Sequence, residues 1–187
     1  ARPRASLLVA PASLLANWRS ELARFAPSLN ARFAHPSEAG ADELKRLSAA
    51  PEEELRGVDA LLTTYSMLLR LEWLDKLRWR LLILDEAQAI KNSGARQTRA
   101  VKRLQAGNRI SLTGTPIENR LGDLWSQFDF LCPGLLGSAK AFGDIVKGLD
   151  QGTPGQYAPL RKLVQPYILR RLKTDRKIIQ DLPEKTE

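Results

Sequence analysis

The stretches 6–9 (SLLV), 60–64 (ALLTT) and 80–84 (RLLIL) read as strands, and in the last of them Leu81, Leu82, Ile83 and Leu84 form an unbroken apolar run. Runs of that length without alternation suit strands of a parallel sheet covered on both faces. Between them the spacing changes to that of amphipathic helices. Ser13 reads as a helix N-cap, followed by Leu14, Leu15, Trp18, Leu22 and Phe25, and Pro27 ends the segment. Further helices are predicted at 42–47, as a short acidic turn from Pro51, near Ser66, and at 94–104. A last one at 121–131 carries a stripe of Leu121, Leu124, Trp125, Phe128 and Leu131. Residues 31–35 and 108–112 complete the strands. Trp18, Leu22 and Trp125 read as packing residues. Strands alternating with helices predict an α/β fold, a parallel sheet flanked by helices.

The pattern changes at Cys132-Pro133-Gly134. Beyond it the periodicity is helical, at 138–147 and 160–164, with a Gly/Pro-rich loop at 151–159. A basic stretch at 167–182 also reads as helical. Two regions are therefore expected, an α/β lobe over 1–132 and a helical extension over 133–187.

Composition narrows the class. Of 187 residues, 43% are hydrophobic and 27% charged, the balance of a globular chain rather than a disordered one. Cys132 is the only cysteine and His35 the only histidine, which excludes an internal disulfide and a Cys/His zinc site. No apolar run approaches the roughly 18 residues of a membrane helix. Arg2 and Arg4 before an apolar stretch superficially resemble a signal peptide, but Pro11 interrupts that stretch. The net charge of +8 is uneven. Residues 89–109 carry six basic and no acidic side chains, and residues 161–177 carry seven basic and one acidic. Two such patches suit contact with a polyanion, although Arg96, Arg99 and Arg103 equally suit a solvated helix face. The excess of Arg over Lys, 19 to 10, leans towards a GC-rich bacterial source. Cytoplasmic, nucleoid-associated residence is expected.

The chemistry is concentrated in two stretches. LLILDEAQ delivers Asp85 and Glu86 to the carboxyl end of a buried strand, the edge at which ligands bind open α/β sheets. SLTGTPIEN brings Thr113, Gly114 and Thr115 to the end of the next strand. Together they make a polar ledge of Asp85, Glu86, Gln88, Thr113 and Thr115. Two carboxylates there suit divided labour. Asp85 is assigned to Mg²⁺, and Glu86 to the proton of a water attacking a phosphate.

With VAPASLLANWRSELARF, LLTTYSML, ISLTGTPIENRLGDLWSQFDFLCPGLLG and PYILRRLKTDRKIIQDLPEKTE in this order, the chain resembles the first motor lobe of a Swi/Snf-type ATPase. That family belongs to the superfamily-two helicases. The resemblance covers nearly all of the chain, and LWSQFDFLCPG and ILRR are its most specific parts. It implies a RecA-like sheet, truncated at its N-terminus, and a family-specific helical insertion leading towards a second motor lobe. It implies ATP with Mg²⁺ as ligands and double-stranded DNA as partner. Asp85 is then the metal-associated carboxylate and Glu86 the catalytic base. Gln88 stands where relatives often carry His, and as a group that cannot titrate it suits hydrogen bonding. Thr113, Gly114 and Thr115 would couple nucleotide state to grip on DNA. Pro11 and Ser13, at a strand-to-helix turn, would meet a DNA phosphate, and Thr63, Thr64 and Tyr65 would lie along the same strand. Ser13 also fits a plain N-cap, and Tyr65 a core residue. Arg170 and Arg171 would touch DNA or brace one lobe against the other.

One departure is large. Nowhere does residue 1–187 read G-x-x-x-x-G-K-[ST], the phosphate-cradling loop. The family's loop would lie upstream of residue 6. The chain is thus expected to be part of an ATP-dependent DNA translocase that remodels protein–DNA complexes. By itself it is expected neither to hydrolyse ATP nor to hold nucleotide tightly. The rival readings are an RNA-directed helicase lobe of the same superfamily and a non-catalytic module that docks DNA or a partner.

Overall fold

In a computed structural model, residues 5–114, 121–149 and 157–169 are described. Five strands form one parallel sheet: β1 (Ser6–Ala10), β2 (Ala31–Phe33), β3 (Ala60–Thr64), β4 (Arg78–Leu84) and β5 (Gln105–Ser111). Their order is β2-β3-β1-β4-β5. In register, Leu8 lies between Leu62 and Ile83, and Leu84 pairs with Ser111. The helices are α1 (Leu15–Phe25), α2 (Ala41–Ala49), α3 (Pro51–Glu54), α4 (Arg96–Arg103), α5 (Leu121–Leu131), α6 (Ala139–Leu149) and α7 (Ala158–Val164).

Alternate side chains of each strand feed two cores, the consequence of the period-two pleat. Leu7, Val9, Leu61, Leu82 and Leu84 face one side, in a cluster with Ala100 and Val101 of α4, Ile90 and Phe130 of α5. Leu8, Ala10 and Leu62 face the other, with Leu15 of α1 and Phe33, and with Trp18, Leu22 and Ile83 packed against them. The apolar run of β4 is unbroken because both of its faces meet a core. No helix among the described residues is long and apolar enough to cross a membrane.

The chain divides into two compact units, Ala1–Gly143 and Asp144–Glu187, with the sheet wholly in the first. In the second, α7 is followed by a 3-10 turn at Gln165–Tyr167.

Several expected elements differ. The helix expected from Ser13 begins at Leu15, after a 3-10 turn over Ala12–Leu14, and Ser13 caps nothing. Its hydroxyl lies inside that turn and is exposed. The helix expected near Ser66 is instead two 3-10 turns, Met67–Leu69 and Glu72–Asp75. The Thr64 hydroxyl accepts the Met67 N–H at 3.3 Å, and the double turn buries Leu68, Trp73 and Leu74 together. β2 stops at Phe33. β5 begins three residues early, at Gln105, because Arg78 and Trp79 extend β4 and pair with Gln105 and Ala106. Gly107 suits this pairing: a Cβ there would stand 3.2 Å from the Arg80 carbonyl oxygen. Of the basic stretch 167–182, Ile168 and Leu169 are non-helical, and the rest lies outside the described residues.

Candidate functional site

Since every strand runs the same way, the carboxyl ends of β1, β3, β4 and β5 lie along one edge of the sheet. That edge carries the residues after Ala10, Thr64, Leu84 and Ser111. Asp85 sits at its centre, its N–H donating to the Val9 carbonyl at 2.8 Å.

Asp85 is held from three directions. Its Oδ2 accepts the indole Nε1–H of Trp18, on α1, at 2.8 Å. Its Oδ1 accepts the Glu86 backbone N–H at 2.9 Å. Its carbonyl oxygen accepts the Tyr65 hydroxyl at 2.7 Å. Burial, and then the negative charges of Asp85 and Glu86, push the Tyr65 phenol well above its ordinary range, so it stays protonated and able to donate.

Glu86 has left-handed backbone angles, φ 50° and ψ 52°, and is the only non-glycine with positive φ among the described residues. A side chain in that region costs about 1–3 kcal/mol, and such strain concentrates at functional sites. The turn swings the Glu86 carboxylate towards Gln88, whose Nε2 donates to Glu86 Oε2. Gln88 Oε1 in turn accepts the Thr113 hydroxyl at 2.9 Å. A continuous chain therefore runs Glu86–Gln88–Thr113, from the end of β4 to the residues following β5. Glutamine serves here as a relay because its amide both donates and accepts.

A second connection reinforces the first. Gln127 of α5 is buried. Its Nε2 donates to the Ala87 carbonyl at 2.7 Å, and its Oε1 accepts the Ser111 hydroxyl at 2.8 Å. Ser126, also buried, donates to the Ile90 carbonyl at 2.7 Å. The turn Ala87–Ile90 thus hangs from α5 at both ends. Replacing Gln127 with Met keeps the length and removes both bonds. It is expected to lower stability by about 1–3 kcal/mol, the usual consequence of leaving buried polar partners unpaired. Urea denaturation at constant m-value measures it.

The predicted site residues divide into three groups. Asp85, Glu86, Gln88 and Thr113 come together, with exposed Gly114 beside them. Pro11 is half-buried and Ser13 exposed at the end of β1, and the Ser13 hydroxyl makes no hydrogen bond among the described residues. Thr63, Thr64 and Tyr65, expected along a nucleic-acid strand with a core position as the alternative for Tyr65, are buried. Their hydroxyls are engaged inside: Thr63 donates to the Ala34 carbonyl at 2.9 Å, Thr64 pairs with Ser66 at 3.0 Å, and Tyr65 holds Asp85. The three hydroxyls are thereby satisfied inside the protein rather than presented at the open edge. Thr115, Arg170 and Arg171 lie outside the described residues. Of the basic face on α4, Arg96 and Arg99 are exposed, and Arg103 pairs with Asp75 at 3.3 Å.

Sequence reasoning missed two participants. Trp18 packs against the second core as expected, but its indole nitrogen faces Asp85. Hydrophobic periodicity reports only the apolar body of the ring. Gln127 had a visible signal, since it lies three residues after Leu124 and four before Leu131, on the buried arc of α5.

Among the described residues, Asp85 and Glu86 bring two carboxylates to this edge, and no group of three or more His, Cys, Asp or Glu is disposed to hold a metal. That donor set suits Mg²⁺ entering with substrate phosphates, which typically takes one or two protein carboxylates and keeps its waters. It does not suit a resident all-protein cage.

The SNF2-related domain family matches residues 1–187. The Bacillus subtilis (strain 168) protein named "Putative ATP-dependent helicase/translocase YwqA" is 40% identical over 188 residues, covering 97% of this chain and 19% of that protein. The TATA-binding protein-associated factor mot1 of Aspergillus fumigatus is 39% identical, with 96% of this chain and 10% of its own length covered. The Sulfolobus solfataricus SWI2/SNF2 ATPase core, solved in complex with dsDNA, matches with a TM-score of 0.83 and 40% identity, over 96% of this chain and 36% of that one. The chain thus spans a fifth or less of these two curated relatives.

Proposed function

The chain belongs to the SNF2-related domain family, and on that premise we propose that it forms part of an ATP-dependent, DNA-stimulated translocase that remodels protein–DNA complexes. The observation that carries this reading is the hydrogen-bonded chain Glu86–Gln88–Thr113 beside an anchored Asp85. It links an acidic pair suited to phosphate chemistry to the end of the neighbouring strand.

Each residue then has a definite task. Asp85 presents a carboxylate with both oxygens already fixed, so little reorganisation is needed when Mg²⁺–ATP arrives. Asp85 would hold Mg²⁺ together with the phosphates of ATP, and the ion would supply charge neutralisation there. Glu86 accepts a proton from the attacking water. Gln88 fixes the Glu86 carboxylate and passes its position to Thr113, which with Gly114 and Thr115 couples nucleotide state to the grip on DNA. Pro11 and the free hydroxyl of Ser13, at the turn into α1, receive a DNA phosphate. The buried Thr63, Thr64 and Tyr65 support this edge from inside.

Residues 1–132 serve as the first motor lobe, and 133–187 as the helical insertion towards a second lobe of the same protein. Arg170 and Arg171 belong to that insertion, against DNA or against the other lobe. Residence in the cytoplasm, on the nucleoid, follows from the reading of the source as bacterial. The second reading is a lobe that docks DNA or a partner without turnover.

The deciding experiment measures ATP hydrolysis by the full-length protein with duplex DNA, with RNA and with neither. Stimulation by duplex DNA alone is expected, and it should fall steeply between about 50 and 200 mM salt as phosphate contacts are screened. Stimulation by RNA alone would assign the lobe to RNA. Absence of any turnover would leave the docking module.

A further inference from the structure

Trp18 and Asp85 are 67 residues apart in sequence and 2.8 Å apart at their polar atoms. The indole belongs to α1, five residues beyond Ser13, and its body packs against the core that contains Leu15 and Leu62. An indole N–H only donates, so the bond has one polarity and fixes the carboxylate in one rotation. With Oδ1 committed to the Glu86 N–H and the Asp85 carbonyl committed to Tyr65, Trp18 is, among the described residues, the one hydrogen-bond partner that ties the Asp85 carboxylate to another element. Helix α1 begins at Leu15, directly after the 3-10 turn Ala12–Leu14, so a displacement at its start reaches Trp18 across about 4–5 Å at 1.5 Å per residue.

We propose that Trp18 is a positioning residue that couples the turn Pro11–Ser13 to the metal-facing carboxylate of Asp85. DNA bound at the 3-10 turn that leads into α1 then sets the orientation of Asp85 through the indole, without a contact between DNA and nucleotide. Supports of this kind, one step behind a metal-binding group, orient it and tune its affinity. The inference rests on the reading that Asp85 serves Mg²⁺–ATP and that the Ser13 turn meets DNA.

Two variants of the full-length protein test it. Trp18→Phe keeps an aromatic ring and removes the N–H. Trp18→3-benzothienylalanine, introduced by codon suppression, keeps the indole shape and replaces the N–H by sulfur, so folding is preserved where Phe fails. The direct readout is Mn²⁺ binding in the presence of ADP, followed by the electron paramagnetic resonance signal of free Mn²⁺. Both variants should bind Mn²⁺ roughly tenfold more weakly. The DNA-stimulated kcat should fall by a similar roughly tenfold factor, with KM for ATP and affinity for duplex DNA both within about twofold.

Wild-type Mn²⁺ affinity and wild-type DNA stimulation in the sulfur variant would overturn the proposal. So would a loss of DNA affinity with Mn²⁺ binding unchanged, because Trp18 would then merely support α1. Glu86→Gln, measured in parallel, separates the two levels. If Glu86→Gln hydrolyses ATP normally, the underlying reading of the site fails. If it is inactive while the Trp18 variants behave as wild type, only the coupling through Trp18 fails.

Discussion

Glu86→Gln in the full-length protein is expected to bind ATP and leave it unhydrolysed. The substitution changes little besides the proton chemistry. Gln has the same length, and its amide oxygen still accepts the bond that Gln88 Nε2 makes to Glu86 Oε2. The left-handed backbone at position 86 costs both side chains the same, so folding should not change. What disappears is a group able to take a proton from water. Loss of a general base lowers the rate by roughly 10²–10⁴-fold, or about 3–5 kcal/mol in the barrier. Single-turnover hydrolysis measures this loss, and titration with a fluorescent ATP analogue measures the retained binding. A single-turnover rate within about twofold of wild type would remove Glu86 from the base role, since no positioned base contributes so little. Gln88 offers no substitute, because an amide does not titrate.

The site was legible in the sequence where its chemistry lies in consecutive residues. Asp85 and Glu86 follow an apolar run, and a buried parallel strand can deliver them only to the ligand-binding edge. Strand β3 and helix α5 match their predicted bounds for the same reason: ALLTT and LGDLWSQFDFL are enclosed by clear turn signals on at least one side. Periodicity fails where a side chain has two characters. Trp18 is apolar along its ring and polar at one atom, and only the fold shows that this atom reaches Asp85. Tyr65 stands beside two threonines and leaves both a nucleic-acid contact and a core position open, and the fold places its ring in the core with its hydroxyl on the Asp85 carbonyl. Residues 66–76 carry enough apolar side chains for a helix. Three of them, Leu68, Trp73 and Leu74, must enter the core together, and two tight turns achieve this where one helix does not. Sheet order was not readable either. The run of strands β2-β3-β1-β4-β5 is a property of pairing between segments distant in sequence, and it decides which loops become neighbours at the site.

Phe130→Ala is expected to have the largest effect on stability. The side chain is fully buried, in the same cluster as Leu82 and Leu84 of β4 and Val101 of α4. Its removal loses transfer free energy and leaves a cavity that close-packed neighbours fill only in part, a cost of about 3–5 kcal/mol for Phe to Ala. A second loss compounds the first. The Arg109 guanidinium lies 5.3 Å from the centre of the Phe130 ring and donates to the Phe130 carbonyl at 2.7 Å. Burial already lowers the Arg109 pKa, with Asp129 acting in the opposite direction, so a looser α5 leaves a desolvated cation less well paired. Urea denaturation should show a lower midpoint at unchanged m-value. Against a typical stability of about 5–15 kcal/mol, the variant stays folded at low temperature with a thin margin. Phe130→Leu, which retains most of the volume, should cost distinctly less. The effect is not confined to the core. Ser126 and Gln127 hold the turn Ala87–Ile90 from the same helix, so α5 transmits its position to the residues that follow Glu86. Hydrogen–deuterium exchange of residues 85–90 should therefore rise in Phe130→Ala under conditions where the chain is still folded. Unchanged protection there would separate the packing of α5 from the order of the acidic turn.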